Sequence, residues 1–261
     1  MNITESYLEK CSGIIEKIKA QQDQIRQAAG WFAESILAGR MVHLFGSGHS
    51  RIMVEEMWPR YGSFPGFNPI VELSVTNHNN VVGANGQRQA MFLENVSGLA
   101  DRILRNFDLD ENDSALVISS GGCNVLPIEM AELFQQKKIK TVALVTSEHL
   151  AKSKSNRADG KKLSDFADLV LDSGAPVGDS MIYIDGLETP VAPGSTVGGV
   201  MIINSIKAEV ARLLTQAGQP PLVLTAACIA GKEKATALFE AAYDEHAHRL
   251  AKLYENVGTK I

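Results

Sequence analysis

"MVHLFGSGHSRIMVEEM", residues 41–57, passes from an apolar run through Gly46-Ser47-Gly48-His49-Ser50 into a helical pattern. An apolar run that ends in glycine and is followed by a period near 3.6 reads as strand, tight turn, helix, the repeating unit of a parallel sheet. The unit recurs downstream. "SALVIS" (114–119), "KTVALVTS" (140–147) and "DLVLDSG" (168–174) are short apolar runs, and "VLPIEMAELFQQKK" (125–138) is a helix between the first two. These runs do not alternate apolar with polar, so both faces of each strand are expected to be covered by helices.

Toward the N-terminus, Tyr7, Leu8, Cys11, Ile14, Ile15, Ile18, Ile25, Ala28, Ala29, Phe32, Ile36 and Leu37 repeat at helical spacing. The spacing predicts one long helix, or two broken near Gln21 to Asp23. "NPIVELSV" (68–75) reads as a second strand, residues 76–87 as a loop, and "RQAMFLENVSGLADRILRNF" (88–107) as one helix. "SMIYIDG" (180–186) reads as an edge strand, "GSTVGGVMIINSIKAEVARLL" (194–214) as an apolar helix, and 232–256 as a final helix. The organisation expected is an N-terminal helical segment (1–40), a central α/β domain (41–220) and a C-terminal helical extension (221–261).

The 261 residues are 45% hydrophobic, enough for a substantial core, and the net charge of −5 offers no basic field for nucleic acid. Cys11, Cys123 and Cys228 are odd in number and widely spaced. They suggest neither a disulfide framework nor a zinc site, and a reducing cytoplasm suits them. No stretch of about 18 apolar residues suggests a membrane span.

In an open parallel sheet, ligands bind beyond the carboxyl ends of the strands, where helix N-termini present unpaired N–H groups. Gly46-Ser47-Gly48-His49-Ser50 and Ser119-Ser120-Gly121-Gly122-Cys123-Asn124 both fall there. Glycines admit close backbone approach, helix N-termini favour negative charge, and the serines add neutral donors, which together suit a phosphate bound without magnesium. A dinucleotide fingerprint would put glycine where Arg51 stands, although Glu72 could serve as its ribose acid. A Walker loop would need a Gly-Lys-Ser/Thr that is absent. The plain alternative is a tight turn with Ser50 capping the helix, while Asn124 can cap the next helix or reach the anion.

The order long helix, "LFGSGHS", helix with Glu55-Glu56, then "ALVISSGGCNVLPIEMAELFQQKKIKTVALVTS" resembles the SIS (sugar isomerase) phosphosugar-binding domain. "GSGHS", "PIEMA", "VTS", "GKKLSDFADLVLDSGAP" and "STVGG" carry the likeness over about 40–220, toward stand-alone bacterial SIS proteins that are phosphoheptose-isomerase-like. The resemblance implies a flavodoxin-like three-layer αβα sandwich around a five-stranded parallel sheet, homodimers or homotetramers, and a sugar phosphate as ligand. It also implies that Ser119, Ser120 and Asn124 bind phosphate while Gly46, Ser47, His49 and Ser50 line the sugar. Gly48, Gly121, Gly122, Thr146 and Ser147 complete the expected set. Where the family loop reads Ser-x-Ser-Gly, Gly121 replaces the second serine, and the late helix lacks the histidine of phosphoheptose isomerases.

Isomerisation through an enediol needs a general base beside the reacting carbons and a group that polarises the carbonyl. His49 and one of Glu55 or Glu56, just beyond the first glycine loop, are the candidates. His43, inside a strand, reads as a core residue, while His78 and His149 are weaker candidates at the rim. His246 and His248 diverge on their helix, so no metal is expected and no cofactor is implied. Cys123 reads as a neutral lining residue. The basic loop with Lys152, Lys154, Arg157, Lys161 and Lys162 is either solvated or a lid over the phosphate.

Overall fold

The computed structural model describes residues 2–76 and 86–257. Strands β1 (Val42–Gly46), β2 (Phe67–Pro69), β3 (Ser114–Ile118), β4 (Lys140–Val145) and β5 (Leu169–Asp172) form one parallel sheet in the order β2-β1-β3-β4-β5. The register sets Leu44 beside Leu116, Leu116 beside Val142, and Val142 beside Leu169. Side chains alternate along a strand, so Val42, Leu44, Leu116, Ile118, Val142 and Leu144 enter one core, and Phe45, Ala115, Val117, Ala143 and Val145 the other. That is why apolar residues face both sides of these strands, with the polar His43, Ser114 and Thr141 buried near their amino ends.

Helices α1 (Ile3–Lys19), α2 (Gln22–Leu37) and α3 (Arg51–Met57) precede α4 (Leu73–Thr76), α5 (Gly86–Leu93), α6 (Leu99–Leu104), α7 (Val125–Gln136) and α8 (Ser147–Lys152). Then come β6 (Ser180–Ile182), β7 (Val191–Pro193), α9 (Ser195–Gln216), α10 (Ala227–Ala230) and α11 (Lys232–Tyr254). α2, α3 and α9 cover the first sheet face with Phe32, Met53, Met57, Ile202 and Ile206, while α6 and α7 cover the second with Ile103, Leu126, Met130 and Phe134. The result is the expected three-layer αβα sandwich.

Three elements differ from the sequence reading. "NPIVELSV" is a strand only as far as Pro69, which lacks an N–H; beyond it the Glu72 carbonyl accepts from Val75 and Thr76 and starts α4. The helix expected over 88–107 is two, because Gly98 takes a left-handed φ of +83° and the Glu129 carboxylate holds Ser97 and the Gly98 amide. The segment 180–186 does not extend the main sheet, since β6 pairs antiparallel with β7 apart from it. The two-helix option for 4–38 is realised. α2 supplies Ile25, Ala28, Ala29, Phe32 and Ile36 to the sheet's own core, so this part of the N-terminal segment packs as a layer of the sandwich.

At the amino ends of the strands lies a buried charge cluster. Asp113 accepts both Arg40 Nε at 2.9 Å and Arg40 Nη2 at 2.7 Å, together with the Asp110 amide. His43 is fully buried, stacked on Phe134, with Nδ1 facing the Asn68 amide and Nε2 3.2 Å from the Asp113 carboxylate. This cluster sits at the end of the sheet away from the glycine loops.

Candidate functional site

From β1 the chain crosses one way to β2 and then back to β3 on the other side. That reversal opens a crevice above the carboxyl ends of β1 and β3. Both glycine loops leave the sheet there and meet in a cleft of about 390 Å³. Ser47, Gly48, His49 and Ser50 line one side, Ser119, Ser120, Gly121 and Asn124 the other. Met53, Ala90 and Met91 add apolar surface, while Ser173, Asp179, Ser195 and Thr196 close the far end. Among the described lining residues none is lysine or arginine.

Hydrogen bonds define what each loop can offer. Ser119 Oγ accepts from the Gly122 amide, which also bonds the Ser119 carbonyl, so that amide is committed internally. Ser120 Oγ lies 3.0 Å from Thr146 Oγ1, which lies 2.8 Å from Ser173 Oγ. Each hydroxyl has one proton, so a chain donating from Ser173 toward Ser120 leaves the Ser120 proton for a ligand. The N-terminus of α9 is already occupied, for Asp179 accepts from the amides of Gly194 and Ser195 and from Ser195 Oγ. At α7 the cap residue Asn124 makes no side-chain cap bond.

Glu94 is the group that the sequence reading missed. It follows the last residue of α5, and the turn ending at Gly98 delivers it to the cleft instead of a continuous helix's surface. Its carboxylate accepts from Asn124 Nδ2 and from the Ser47 side chain, so it ties the two loops together. Oε1 lies beside Gly48, where an added Cβ would be 3.7 Å away. The residue is 8% exposed, and burial pushes its pKa above the ordinary carboxylate range despite the two donors. The only sequence signal was a glutamate four residues before a glycine, too weak to mark a site.

A family model described as the SIS domain matches residues 6–147, more than half of the chain. The chain belongs to the SIS domain family. A UPF0309 protein of Listeria monocytogenes is 30% identical over 97% of this chain and 99% of its own length. A UPF0309 protein of Halalkalibacterium halodurans is 31% identical over 84% of this chain and 86% of its own. The structure of a phosphoheptose isomerase from Francisella tularensis shares the fold with a TM-score of 0.51 at 15% identity, covering 80% of this chain and 96% of that one.

Within this SIS domain several residues expected at the site stand elsewhere. Glu55 and Glu56 do not line the cleft of their own chain, because the helical period of α3 turns them outward. Glu55 is exposed, and Glu56 pairs with Arg60 and accepts from Asn204 Nδ2 at 2.7 Å. Gly46 lies in the strand, where a Cβ would meet the Ser50 carbonyl at 2.7 Å. Gly122 holds φ +59° against Leu150; both glycines shape turns. Thr146 is buried behind Ser120, and the Ser147 amide donates to Asp172, so neither lines the cleft. Ser50 makes no side-chain cap bond.

The basic loop is not poised over the cleft. Arg157 pairs with Glu132 and Asp159 and packs over Phe166, and Lys162 donates to the Leu150 carbonyl. His149 lines the cleft, whereas His78 lies outside the described residues. Cys123, expected as a lining residue, is not among those that line the cleft; it is buried with its Sγ on the Gly121 carbonyl, and burial raises the thiol pKa. No helix among the described residues is long and apolar enough to cross a membrane.

Proposed function

We propose that this SIS protein binds a sugar phosphate, holding the phosphate on the 119–124 loop, and moves a proton between adjacent sugar carbons in an aldose–ketose isomerisation. The observation that supports this reading is the meeting of two Gly/Ser loops from adjacent strands at the switch point, beside a buried carboxylate. Ser119, Ser120, Gly121 and the start of α7 take the phosphate, and Ser47, Gly48 and Ser50 face the sugar. Glu94 takes the C2 proton and returns it to C1, while His49 polarises the carbonyl. A cytoplasmic location fits a substrate of this class. The rival reading is a non-catalytic phosphosugar sensor, favoured by the outward position of Glu55 and Glu56.

Hexose, heptose and amino-sugar phosphates are expected to differ in how far they raise the melting temperature, and the best of them to exchange its C2 proton with deuterated solvent by NMR. Ser120→Ala should weaken that ligand by about 1–2 kcal/mol. Tight binding without C2 exchange would leave the sensor, or an enzyme removing a substituent from an amino-sugar phosphate. Absence of any binding would refute the assignment.

Assembly as a homodimer or homotetramer belongs to the same reading. Ile3, Leu8 and Ile15 expose apolar surface on α1, next to a groove of about 600 Å³ lined by Ile18, Ile25, Val200 and Met201. Sedimentation equilibrium should return a multiple of 28.2 kDa; a monomer would refute assembly.

A further inference from the structure

Gly121 lines the cleft between Ser120 and the start of α7, yet its backbone does not need glycine, since its φ lies outside the left-handed region. Packing does not demand it either. A Cβ added there would meet only His149, at 3.6 Å from Nε2 and 3.8 Å from Cδ2, which is ordinary van der Waals contact. What the missing side chain does is leave the imidazole edge uncovered toward the 119–122 loop. His149 Nδ1 is buried without a hydrogen-bond partner. In the neutral ring, the tautomer that strands no N–H in the interior carries its proton on Nε2, directed at the uncovered space. The cleft lining among the described residues has no lysine or arginine to meet an anion.

We propose that His149 Nε2 is a phosphate donor of this site, serving at Gly121 in place of a loop hydroxyl. This assignment rests on the phosphosugar reading and adds to it the residue that substitutes for a cationic side chain. Nε2–H donates to a phosphate oxygen on one flank, and Ser120 Oγ donates on the other. The recognised chemistry is a phosphate monoester whose terminal oxygens enter between β3 and β4, with the sugar extending toward Ser47 and Glu94.

The test uses the full chain and two probes, inorganic phosphate and fructose 6-phosphate, with dissociation constants measured by calorimetry. His149→Ala should weaken both probes roughly ten-fold to a hundred-fold, the range for a hydrogen bond to a charged group. His149→Gln, whose amide nitrogen reaches about where Nε2 stood, should retain most of the affinity. Adding Gly121→Ser to His149→Ala should restore at least part of the loss, because the new hydroxyl occupies the space the ring faced. Purely structural support by His149 would give no such rescue. Equal affinities for wild type and His149→Ala overturn the proposal, as does a double variant no tighter than His149→Ala. Wild-type protein that binds neither probe overturns the phosphate-loop reading itself and this assignment with it. Melting curves of the unliganded variants, expected to match wild type within a few degrees, separate lost binding from lost fold.

Discussion

Glu94→Gln is expected to slow C2 proton exchange by about 10²- to 10⁴-fold, the usual worth of a positioned general base, while phosphosugar affinity changes little. Glutamine keeps the shape, its oxygen can accept from Asn124 Nδ2 and its amide can donate to Ser47 Oγ, so the loops stay tied; what it removes is the ability to take a proton. The pH dependence has a definite sign. Burial raises the Glu94 pKa, so the active carboxylate form is lost as pH falls through a value above the ordinary carboxylate range, and the acid limb of the exchange rate should lie there. Stability runs the opposite way. A carboxyl with a raised folded-state pKa stabilises the fold below its unfolded pKa and loses that contribution as pH rises through the folded one. Glu94→Gln should therefore be as stable as wild type or more so at neutral pH, by thermal melting. A variant that exchanges protons normally would remove Glu94 from the chemistry.

Asp113→Ala should cost about 3–5 kcal/mol in urea denaturation, because it strands a cation and backbone donors in the interior. Arg40 is largely buried, and the amides of Met41 and Asp110 also point at this carboxylate. Burial alone would raise the Asp113 pKa, but the facing His43 and the Arg40 guanidinium outweigh it and bring it from 3.8 to about 2. A folded-state pKa below the unfolded one contributes stability that is present above about pH 4 and lost as pH falls toward 2. The contribution is on the order of 2–3 kcal/mol, at about 1.4 kcal/mol per unit. Acid titration of unfolding should show this loss in wild type and not in Asp113→Asn. An identical acid profile in both would show that the cluster does not drive acid sensitivity.

Much of the molecule was legible because its signals are local. Short, mainly apolar runs in 42–46, 114–118 and 140–145, separated by helical patterns, read as strands covered on both faces, and a glycine-rich turn after such a strand belongs at the ligand end of the sheet. Ser47, His49, Ser119, Ser120 and Asn124 line the cleft for this reason, since each sits in a loop whose place is set by the strand before it. Glu55 and Glu56 fall outside the cleft because closeness in sequence does not set azimuth: at about 100° per residue, Glu55 stands about 200° round α3 from Met53, which lines the cleft.

By itself, the sequence determined the fold class and the position of the two Gly/Ser loops at the ligand end of the sheet, because period and turn residues act over a few neighbours. Only the tertiary structure decided which titratable groups share the cleft. Glu94 comes from a helix end 30 residues before Asn124, and His149 from one 28 residues after Gly121. Their convergence depends on how the chain turns between α5 and α6, ending at Gly98, and on how α8 leaves β4, and those geometries are settled by packing against the sheet, which no local pattern encodes.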